Sequence, residues 1–259
     1  MGRIRYGART EDELRNREVE ATATGAWATV LTATYQTDPE IVAAVLPPPL
    51  EPADEPRVRI TIARVDMEKL PTFGAGAFAV RCWHEGTTGD YPLVMPMTSE
   101  QAVIGGRETF GEPKKLGEVT LERAGDRVIG RFTRLGTTFV TVAGTVGETL
   151  PTPPDGKRIN FAFKFLPAPD GKGFDAEPSL VYCHREEQTR SLERVEGEIT
   201  LTESRFDPVV DLPVRGGVAI TLCQRHTVER AEIHSRVPSE LLRPYAHQRY
   251  DDLSPVGEE

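Results

Sequence analysis

Two adjacent lysines, Lys114 and Lys115, directly follow Pro113 in the segment 105–116. A free lysine side chain titrates near ~10.4, so well under about a hundredth of it is a neutral amine at pH 7. Apolar surroundings and a second nearby cation both disfavour the ammonium form and so supply a nucleophilic amine. The spacing therefore makes Lys114 a candidate amine nucleophile, with Lys115 as the cation that activates it. The alternative is a solvated turn, since lysines are mostly exposed.

The composition predicts a folded protein whose main partner is neither nucleic acid nor a membrane. Hydrophobic residues make up 38% and charged residues 27% of the 259 residues, which is typical of globular proteins. The formal charge of −9 opposes binding to nucleic acid or to an anionic membrane. The sequence has no apolar run of the ~20 residues that span a bilayer, and no apolar targeting segment at its start. Its three cysteines lack C-x-x-C spacing, so we expect no disulfide framework, no zinc site and a cytoplasmic location.

Strand-type alternation dominates the chain and predicts an α+β, mainly β fold with an antiparallel sheet or barrel. Val58, Ile60 and Ile62 alternate with polar neighbours, which is typical of a strand with one buried face. Turn signals separate further predicted strands at 27–35, 117–123, 127–134, 137–145, 159–166, 179–188, 195–205 and 215–230, and short helices are predicted after Asp38, from Ser99 and from about Ser239.

The chain is interpreted as one domain preceded by an arm. Residues 1–22 mix basic and acidic side chains with little apolar periodicity, which indicates an N-terminal arm. The proline-rich segments 47–56 and 151–154 resemble linkers, but the strand pattern resumes on both sides of each. We therefore interpret them as surface loops and residues 23–259 as a single domain.

Other kinds of active site have little support in the sequence. The five histidines, at positions 84, 184, 226, 234 and 247, show no His-Glu-x-x-His spacing, so no metal site is predicted. The sequence contains no Gly-x-Ser-x-Gly motif and no phosphate-binding Gly-x-x-x-x-Gly-Lys motif. Serine hydrolase and nucleotide hydrolase chemistry are therefore set aside.

The lysine pair lies in a longer pattern that resembles acetoacetate decarboxylase. Gly106-Arg107-Glu108, followed after four residues by Pro113-Lys114-Lys115-Leu116-Gly117, is similar to the active-site segment of that family. The resemblance extends from about residue 35 to residue 233, with further motifs in family order. These motifs are Tyr35-x-Thr37-Asp38, 45–50, Glu55-Pro56-x-Val58-Arg59, Gly89-Asp90-Tyr91, Pro167-x-x-Asp170-Gly171 and Asp211-Leu212-Pro213-Val214.

The resemblance implies a cone-shaped, mostly antiparallel β barrel with flanking helices, an interior pocket and a homo-oligomer. It also implies that Lys114 is the Schiff-base lysine and Lys115 its cationic neighbour. The substrate would then be a small oxo acid held as a covalent imine, without a cofactor.

The sequence departs from the family pattern at three pocket positions. Decarboxylating members carry an arginine and two glutamates there, whereas alignment on the neighbouring motifs places Ala28, Thr61 and Ala75 at these positions. The expected function is therefore a lyase acting through an imine on Lys114, by decarboxylation of a β-keto acid or by aldol and dehydration chemistry. The alternatives are a true acetoacetate decarboxylase and a non-catalytic member that only binds a small molecule.

Three more charged residues of the segment are candidates for the site. Glu112 is a candidate general acid or base beside the imine, and its alternative role is that of a surface glutamate. Glu108 and Arg107 are candidates for orienting the lysine pair and the substrate carboxylate. An internal ion pair at the helix end is the alternative for these two.

Overall fold

The computed structural model describes residues 4, 6–15, 25–67 and 71–251. This part of the chain is mainly β, as the sequence predicts, and its strands form a single sheet. The strands are β1 Gly25–Gln36, β2 Glu51–Pro52, β3 Arg57–Asp66, β4 Phe73–His84, β5 Thr87–Met97, β6 Lys114–Leu116, β7 Glu118–Ala124, β8 Arg127–Arg134, β9 Thr137–Thr149, β10 Gly156–Lys164, β11 Ser179–Leu201 and β12 Gly216–Arg236. The helices are α1 Pro39–Val45, α2 Glu100–Gly105, a π-helix Gly106–Phe110, a 3-10 helix Val209–Asp211, α3 Ser239–Leu242 and a 3-10 helix Arg243–Gln248.

Seven of the strands close into a ring. Antiparallel neighbours follow the order β5, β4, β3, β1, β12, β11 and β10. β10 then returns to β5 through a parallel bridge between Asn160 and Asp90. Because each of these strands is paired on both sides, the ring encloses an interior. The predicted mainly β, largely antiparallel architecture is confirmed by this topology.

Each ring strand has two different faces, because successive side chains of a strand point in opposite directions. In β1, Leu31, Ala33 and Tyr35 are completely buried in the main hydrophobic core. Ala28 and Val30 lie on the other face and line the ring interior. The same strands therefore supply both the core and the wall of an interior cavity.

The main core lies between the ring and the strands β7, β8 and β9. Gly130 of β8 approaches β3 so closely that an added Cβ atom would lie 2.7 Å from Cδ1 of Ile62. Phe132 and Phe139 are completely buried in this core, with ring centroids 5.9 Å apart. The outer faces of the ring strands thus stabilise the fold and leave the inner faces available for a site.

One predicted pair of strands is a single strand in the structure. The segments predicted at 179–188 and 195–205 are joined in β11, which ends at Leu201 and pairs first with β10 and further along with β9. Against β12, the register shifts between Thr189 and Ser191. A β-bulge of this kind lets a strand bend without ending, and alternation alone does not reveal it.

The predicted N-terminal arm, residues 1–22, lies partly outside the described residues. Residues 11–15 are helical. The expected boundary between arm and domain falls within 16–24, which also lie outside the described residues, so this division stays a prediction. None of the described helices is long and apolar enough to cross a membrane.

Candidate active site

The ring encloses a cavity of about 390 Å³. Small and apolar side chains of β1, β3 and β4 form one part of its wall, because one face of each strand points inward. Ala28, Thr61 and Ala75, the positions at which the sequence lacks charged pocket residues, all lie on this wall. The substitutions therefore change the lining of the cavity directly.

Lys114 places its amine in this cavity. It is the first residue of β6, which pairs in parallel with β5. Its side chain is 12% exposed, and its Nζ atom lies 2.8 Å from Oε2 of Glu112, whose side chain is completely buried. The fold thus brings two of the predicted site residues, Lys114 and Glu112, into direct contact.

The segment before β6, which consists of α2, the π-helix and Gly111, positions Lys114 for this contact. α2 begins after Ser99, whose Oγ accepts a hydrogen bond from the backbone N–H of Ala102, and it continues into the π-helix. The π-helix ends at Gly111, which has a φ of 79°. An added Cβ atom there would lie 2.5 Å from Cα of Lys164, so only glycine fits. The sequence analysis did not predict the π-helix, a rare form that often occurs at functional sites.

Gly106 forms the surface on which the Lys114 side chain lies. Its carbonyl accepts a hydrogen bond from the backbone N–H of Glu112. An added Cβ atom would lie 2.3 Å from Cδ of Lys114 and 2.6 Å from both Nζ of Lys114 and Oε2 of Glu112. The absence of a side chain at this position therefore allows the amine and the carboxyl to meet.

Glu112 has a raised pKa, chiefly because burial disfavours its charged form. Lys114 and Arg185 act in the opposite direction, while Glu229 adds to the upward shift. Glu112 therefore takes up a proton more readily than an exposed carboxylate. Because the carboxyl and the Lys114 amine lie within hydrogen-bond distance, a proton can pass between the two groups.

Arg185 of β11 connects Glu112 with Glu229 of β12. Its Nη2 atom lies 3.5 Å from Oε1 of Glu112, and its Nε atom lies 3.0 Å from Oε1 of Glu229. Burial alone would lower the pKa of Arg185, but the two carboxylates outweigh burial and raise it. Burial would raise the pKa of Glu229, but Arg185 and Lys114 outweigh it and hold that pKa below its usual range. Arg185 and Glu229 are therefore both charged at neutral pH.

Two further arginines line the cavity and share Glu187. Nη2 of Arg158 lies 2.9 Å from Oε1 of Glu187, and Nη1 of Arg225 lies 3.2 Å from its Oε2. Burial lowers the pKa of Arg158 to about 10, which leaves it charged at neutral pH. With Lys114 and the Arg185 network, four basic and three acidic side chains meet at the site, an excess of one positive charge.

The arginine and glutamate residues of β10, β11 and β12 were not predicted from the sequence. A signal was present, because these charges are separated by an even number of positions and so share a strand face, at 185 and 187 in β11 and at 225 and 229 in β12. Charges on one face of a strand are ordinarily solvated, so the pattern gains its meaning only once that face is known to line an enclosed cavity.

Lys115 points away from the cavity, since it follows Lys114 in the same strand. Its Nζ atom lies 2.9 Å from Oδ1 of Asp251 and 3.6 Å from Oδ1 of Asp207. Arg134 binds the same two carboxylates at 2.8 Å and 2.6 Å. Opposite charges therefore surround Lys115, and its role in activating Lys114 stays a prediction.

Arg107 and Glu108 do not belong to the residues that line the cavity. The Arg107 guanidinium donates hydrogen bonds to the backbone carbonyls of Lys114 and Arg249, both at 3.0 Å. Glu108 is exposed. Arg107 thus holds the backbone of β6 in place, and the substrate-binding and catalytic roles predicted for these two residues remain without a direct contact to the cavity.

Comparison with known proteins places the chain in a family. The sequence profile of the family described as "Acetoacetate decarboxylase (ADC)" matches residues 10–237. The chain belongs to the acetoacetate decarboxylase family. The acetoacetate decarboxylase of Burkholderia vietnamiensis (strain G4 / LMG 22486) is 30% identical over 188 residues, covering 70% of this chain and 75% of the relative. The predicted family membership is confirmed.

Several solved structures share the fold. Acetoacetate decarboxylase from Legionella pneumophila has a TM-score of 0.74 at 19% identity, over 83% of this chain and 88% of that chain. The enduracididine biosynthesis enzyme MppR, complexed with pyruvate, has a TM-score of 0.69 at 18% identity, over 82% and 90% of the chains. An acetoacetate decarboxylase-like enzyme from Sphingomonas wittichii RW1 has a TM-score of 0.64 at 22% identity, over 84% and 94%. At these identities the likeness concerns the fold.

Proposed function

We propose that this protein is a lyase that holds a small oxo acid as an imine on Lys114. The observation that carries the proposal is the Lys114 amine at the cavity inside the ring, 2.8 Å from the completely buried carboxyl group of Glu112. Membership of the acetoacetate decarboxylase family supports a lyase-type activity. The covalent imine itself accepts electrons from the substrate, so the proposal includes no cofactor and no metal at this site.

Imine formation follows from the contact between the amine and the carboxyl. When the proton that passes between them is on Glu112, the Lys114 amine has a free lone pair and attacks the ketone carbon, forming a C–N bond. Glu112 gives its proton to the oxygen of the former carbonyl, and a nitrogen proton passes back to the carboxylate. The hydroxyl group then takes a second proton from Glu112 and leaves as water, so the product is a protonated imine.

The protonated imine weakens the bonds of the adjacent carbon. In a β-keto acid, the C–C bond to the carboxylate breaks, carbon dioxide leaves and its bonding electrons form an enamine. In a 2-oxo acid, the Glu112 carboxylate takes a C–H proton to form the enamine, whose carbon can then attack the carbonyl carbon of an aldehyde, while the aldehyde oxygen takes that proton and becomes a hydroxyl group. After decarboxylation, the enamine carbon instead takes a proton from water. In either reaction, hydrolysis of the imine releases the product and returns Lys114 to its amine form.

The charges of the cavity suit a substrate with one carboxylate. The excess of one positive charge among the lining groups and Glu112 is offset when a single anionic group enters. The arginines of β10, β11 and β12 supply this charge, and these strands follow β4, β3 and β1 in the order of the ring. These arginines take the place of the arginine that the family pattern locates at Ala28.

We favour aldol or dehydration chemistry on a 2-oxo acid over decarboxylation of acetoacetate. Ala28, Thr61 and Ala75 supply none of the charged groups of decarboxylating members, and all three line the cavity. MppR, which shares the fold, has structures complexed with pyruvate and with the condensation product of pyruvate and imidazole 4-carboxaldehyde. A true acetoacetate decarboxylase remains the second candidate, favoured by the 30% identity with the Burkholderia enzyme.

Borohydride trapping tests the imine. The protein is incubated with pyruvate or with acetoacetate, reduced with borohydride, digested and analysed by mass spectrometry. We expect a reduced adduct on the peptide that carries Lys114, and no adduct in Lys114→Ala. An exposed lysine outside the cavity gives the matched control, and Lys157→Met should still be trapped at Lys114.

Separate outcomes distinguish the candidates. Release of carbon dioxide from acetoacetate at the rate of trapping would assign the decarboxylase reaction. A failure of every oxo acid to trap at Lys114, in protein that binds these acids, would contradict the proposal and leave the non-catalytic binder.

Two further expectations from the sequence stay proposals. A homo-oligomer is implied by the family resemblance, and light scattering would show it as a mass that is a multiple of the monomer mass. A cytoplasmic location is expected from the composition, and fractionation of the cells that make the protein would test it.

A further inference from the structure

A second group of potential ligand atoms lies at the hairpin between β4 and β5. His84 ends β4, and the turn consists of Glu85 and Gly86, with φ angles of 45° and 81°. Both residues have a left-handed backbone conformation, as is usual in a tight hairpin turn. Asn, Asp and Gly are preferred over glutamate in this conformation. A carboxylate therefore lies directly beside His84, at a position where other residue types fit the backbone better.

His234 reaches this hairpin from β12 through an irregularity in the sheet. Leu180 pairs with Ser235 and Val181 pairs with Ile233, so His234 is the extra residue of a β-bulge. Bulges redirect the side chain of the extra residue. The His234 ring stacks on Tyr182 with centroids 4.3 Å apart and an interplanar angle of 8°. Its Nε2 atom lies 3.0 Å from Oε2 of Glu85.

His84 is held in place on its other side. Its side chain is buried, and its Nδ1 atom lies 2.7 Å from the hydroxyl oxygen of Tyr182. Metal-bound histidines commonly make such a second contact, which fixes the orientation of the ring.

We propose that His84, Glu85 and His234 bind one divalent metal ion of the zinc class at a site separate from the Lys114 cavity. Each residue offers one ligand atom, and the three atoms all lie within 4.8 Å of one another. Two imidazole nitrogens and one carboxylate oxygen form a donor set that suits zinc, and also nickel or copper, better than magnesium or calcium. None of the three residues lines the Lys114 cavity.

The geometry indicates an open rather than a closed site. Zinc ordinarily takes four ligands, and this site supplies three, so the fourth position is available to water. Glu85 and His234 have exposed fractions of 68% and 30%, which gives an ion access from solvent. The ion would link the β4–β5 hairpin to β12, two elements whose ligands come from positions far apart in the sequence.

Metal titration of the full chain tests the site. The protein is stripped with a chelator and titrated with Zn²⁺ in competition with a chromophoric chelator. We expect one Zn²⁺ per chain, binding at least about tenfold weaker in His234→Ala and in Glu85→Gln, and unchanged binding in the control His247→Ala. Mg²⁺ at equal concentration should not compete.

A spectroscopic measurement covers the case in which His234→Ala folds poorly. Co²⁺ bound to the wild type should show the visible absorption of a four- or five-coordinate site, and Glu85→Gln, in an exposed turn, should change that spectrum. Equal Zn²⁺ affinity in wild type and Glu85→Gln with an unchanged Co²⁺ spectrum, or less than one Zn²⁺ per wild-type chain, would overturn the proposal.

Discussion

Glu112 is the group that contacts the amine of the candidate nucleophile. Its carboxyl group is completely buried and lies 2.8 Å from Nζ of Lys114, so a proton can pass between the two groups. Asp207 and Asp251 pair with Lys115 and offset the repulsion that its charge would exert on the Lys114 ammonium. The carboxyl group of Glu112, in contrast, is in direct contact with the Lys114 amine. Proton exchange with a buried carboxyl is therefore the more direct route to a free amine at this site.

Substitution of Glu112 by Gln tests this role through the pH dependence of trapping. The trapping rate should fall at low pH, when Glu112 and Lys114 together hold one proton too many for the amine to be free. Because burial raises the pKa of Glu112, this fall in rate should occur above the ~4.3 of an ordinary glutamate. In Glu112→Gln we expect trapping at neutral pH to fall by about 10²-fold, and the fall in rate that protonation of Glu112 causes in the wild type at low pH should be absent.

The measurement is the rate of borohydride-trapped adduct across a pH series. Circular dichroism of the variant should show an intact fold. An identical pH profile in wild type and Glu112→Gln would assign the proton to another group.

The elements around β6 explain why the amine reaches the cavity. The π-helix, the left-handed Gly111 and the short strand β6 direct Lys114 inward and Lys115 outward. Gly106 leaves the space that the Lys114 side chain occupies. The π-helix and β6 therefore pack closely at Gly106, because this position has no side chain.

Gly106→Ala should displace the amine without unfolding the protein. The new methyl group would overlap Cδ and Nζ of Lys114 and Oε2 of Glu112, which are atoms of side chains that can move. A displacement of about 1 Å at a reacting atom can reduce a rate by about 10²-fold, and we expect a loss of that order in trapping. Gly105→Ala is the matched control, since an added Cβ atom there meets nothing within 4 Å.

Both variants are compared by trapping rate and by urea denaturation. The free energy of unfolding should change by less than about 1 kcal/mol in each, because alanine is favoured over glycine in helices by a similar amount. Equal trapping rates in the two variants would show that Gly106 does not position the amine.

For the whole molecule, a buried ionic cluster joins distant parts of the chain. Lys115 of β6 and Arg134 of β8 both bind Asp207 and Asp251, which lie after β11 and near the end of the described residues. Arg134 and Asp207 are almost completely buried. The cluster therefore links β6, the strand that carries Lys114, to β8, which packs over the main core.

Asp207→Asn should be strongly destabilising. The variant leaves Lys115 and Arg134 with one carboxylate in place of two, and breaking a buried ion pair typically costs about 3–5 kcal/mol. We expect a loss of this order in the free energy of unfolding, measured by urea denaturation. Asp211→Asn, in an exposed position nearby, should change it by less than about 0.5 kcal/mol. Similar stability in the two variants would contradict the importance of the cluster.

The sequence by itself determined the family, the strand-rich fold and the candidate nucleophile, because alternation and short motifs are local properties. Motifs around Lys114 and the alternation in β1 and β3 could be interpreted without coordinates. Ala28, Thr61 and Ala75 were identified from their distances to such motifs, and the structure places all three on the cavity wall.

Only the tertiary structure decided what surrounds the amine. The pairing of β11 with β10 and β12 brings Arg158, Arg185 and Glu229 to one wall, and strand direction turns Lys115 away from Lys114. His84 and His234 likewise meet through a hairpin turn and a β-bulge that sequence spacing does not express. Local alternation predicts where the strands lie, but it does not show which strand face points into the ring. That depends on how strands far apart in the sequence pair and close the ring.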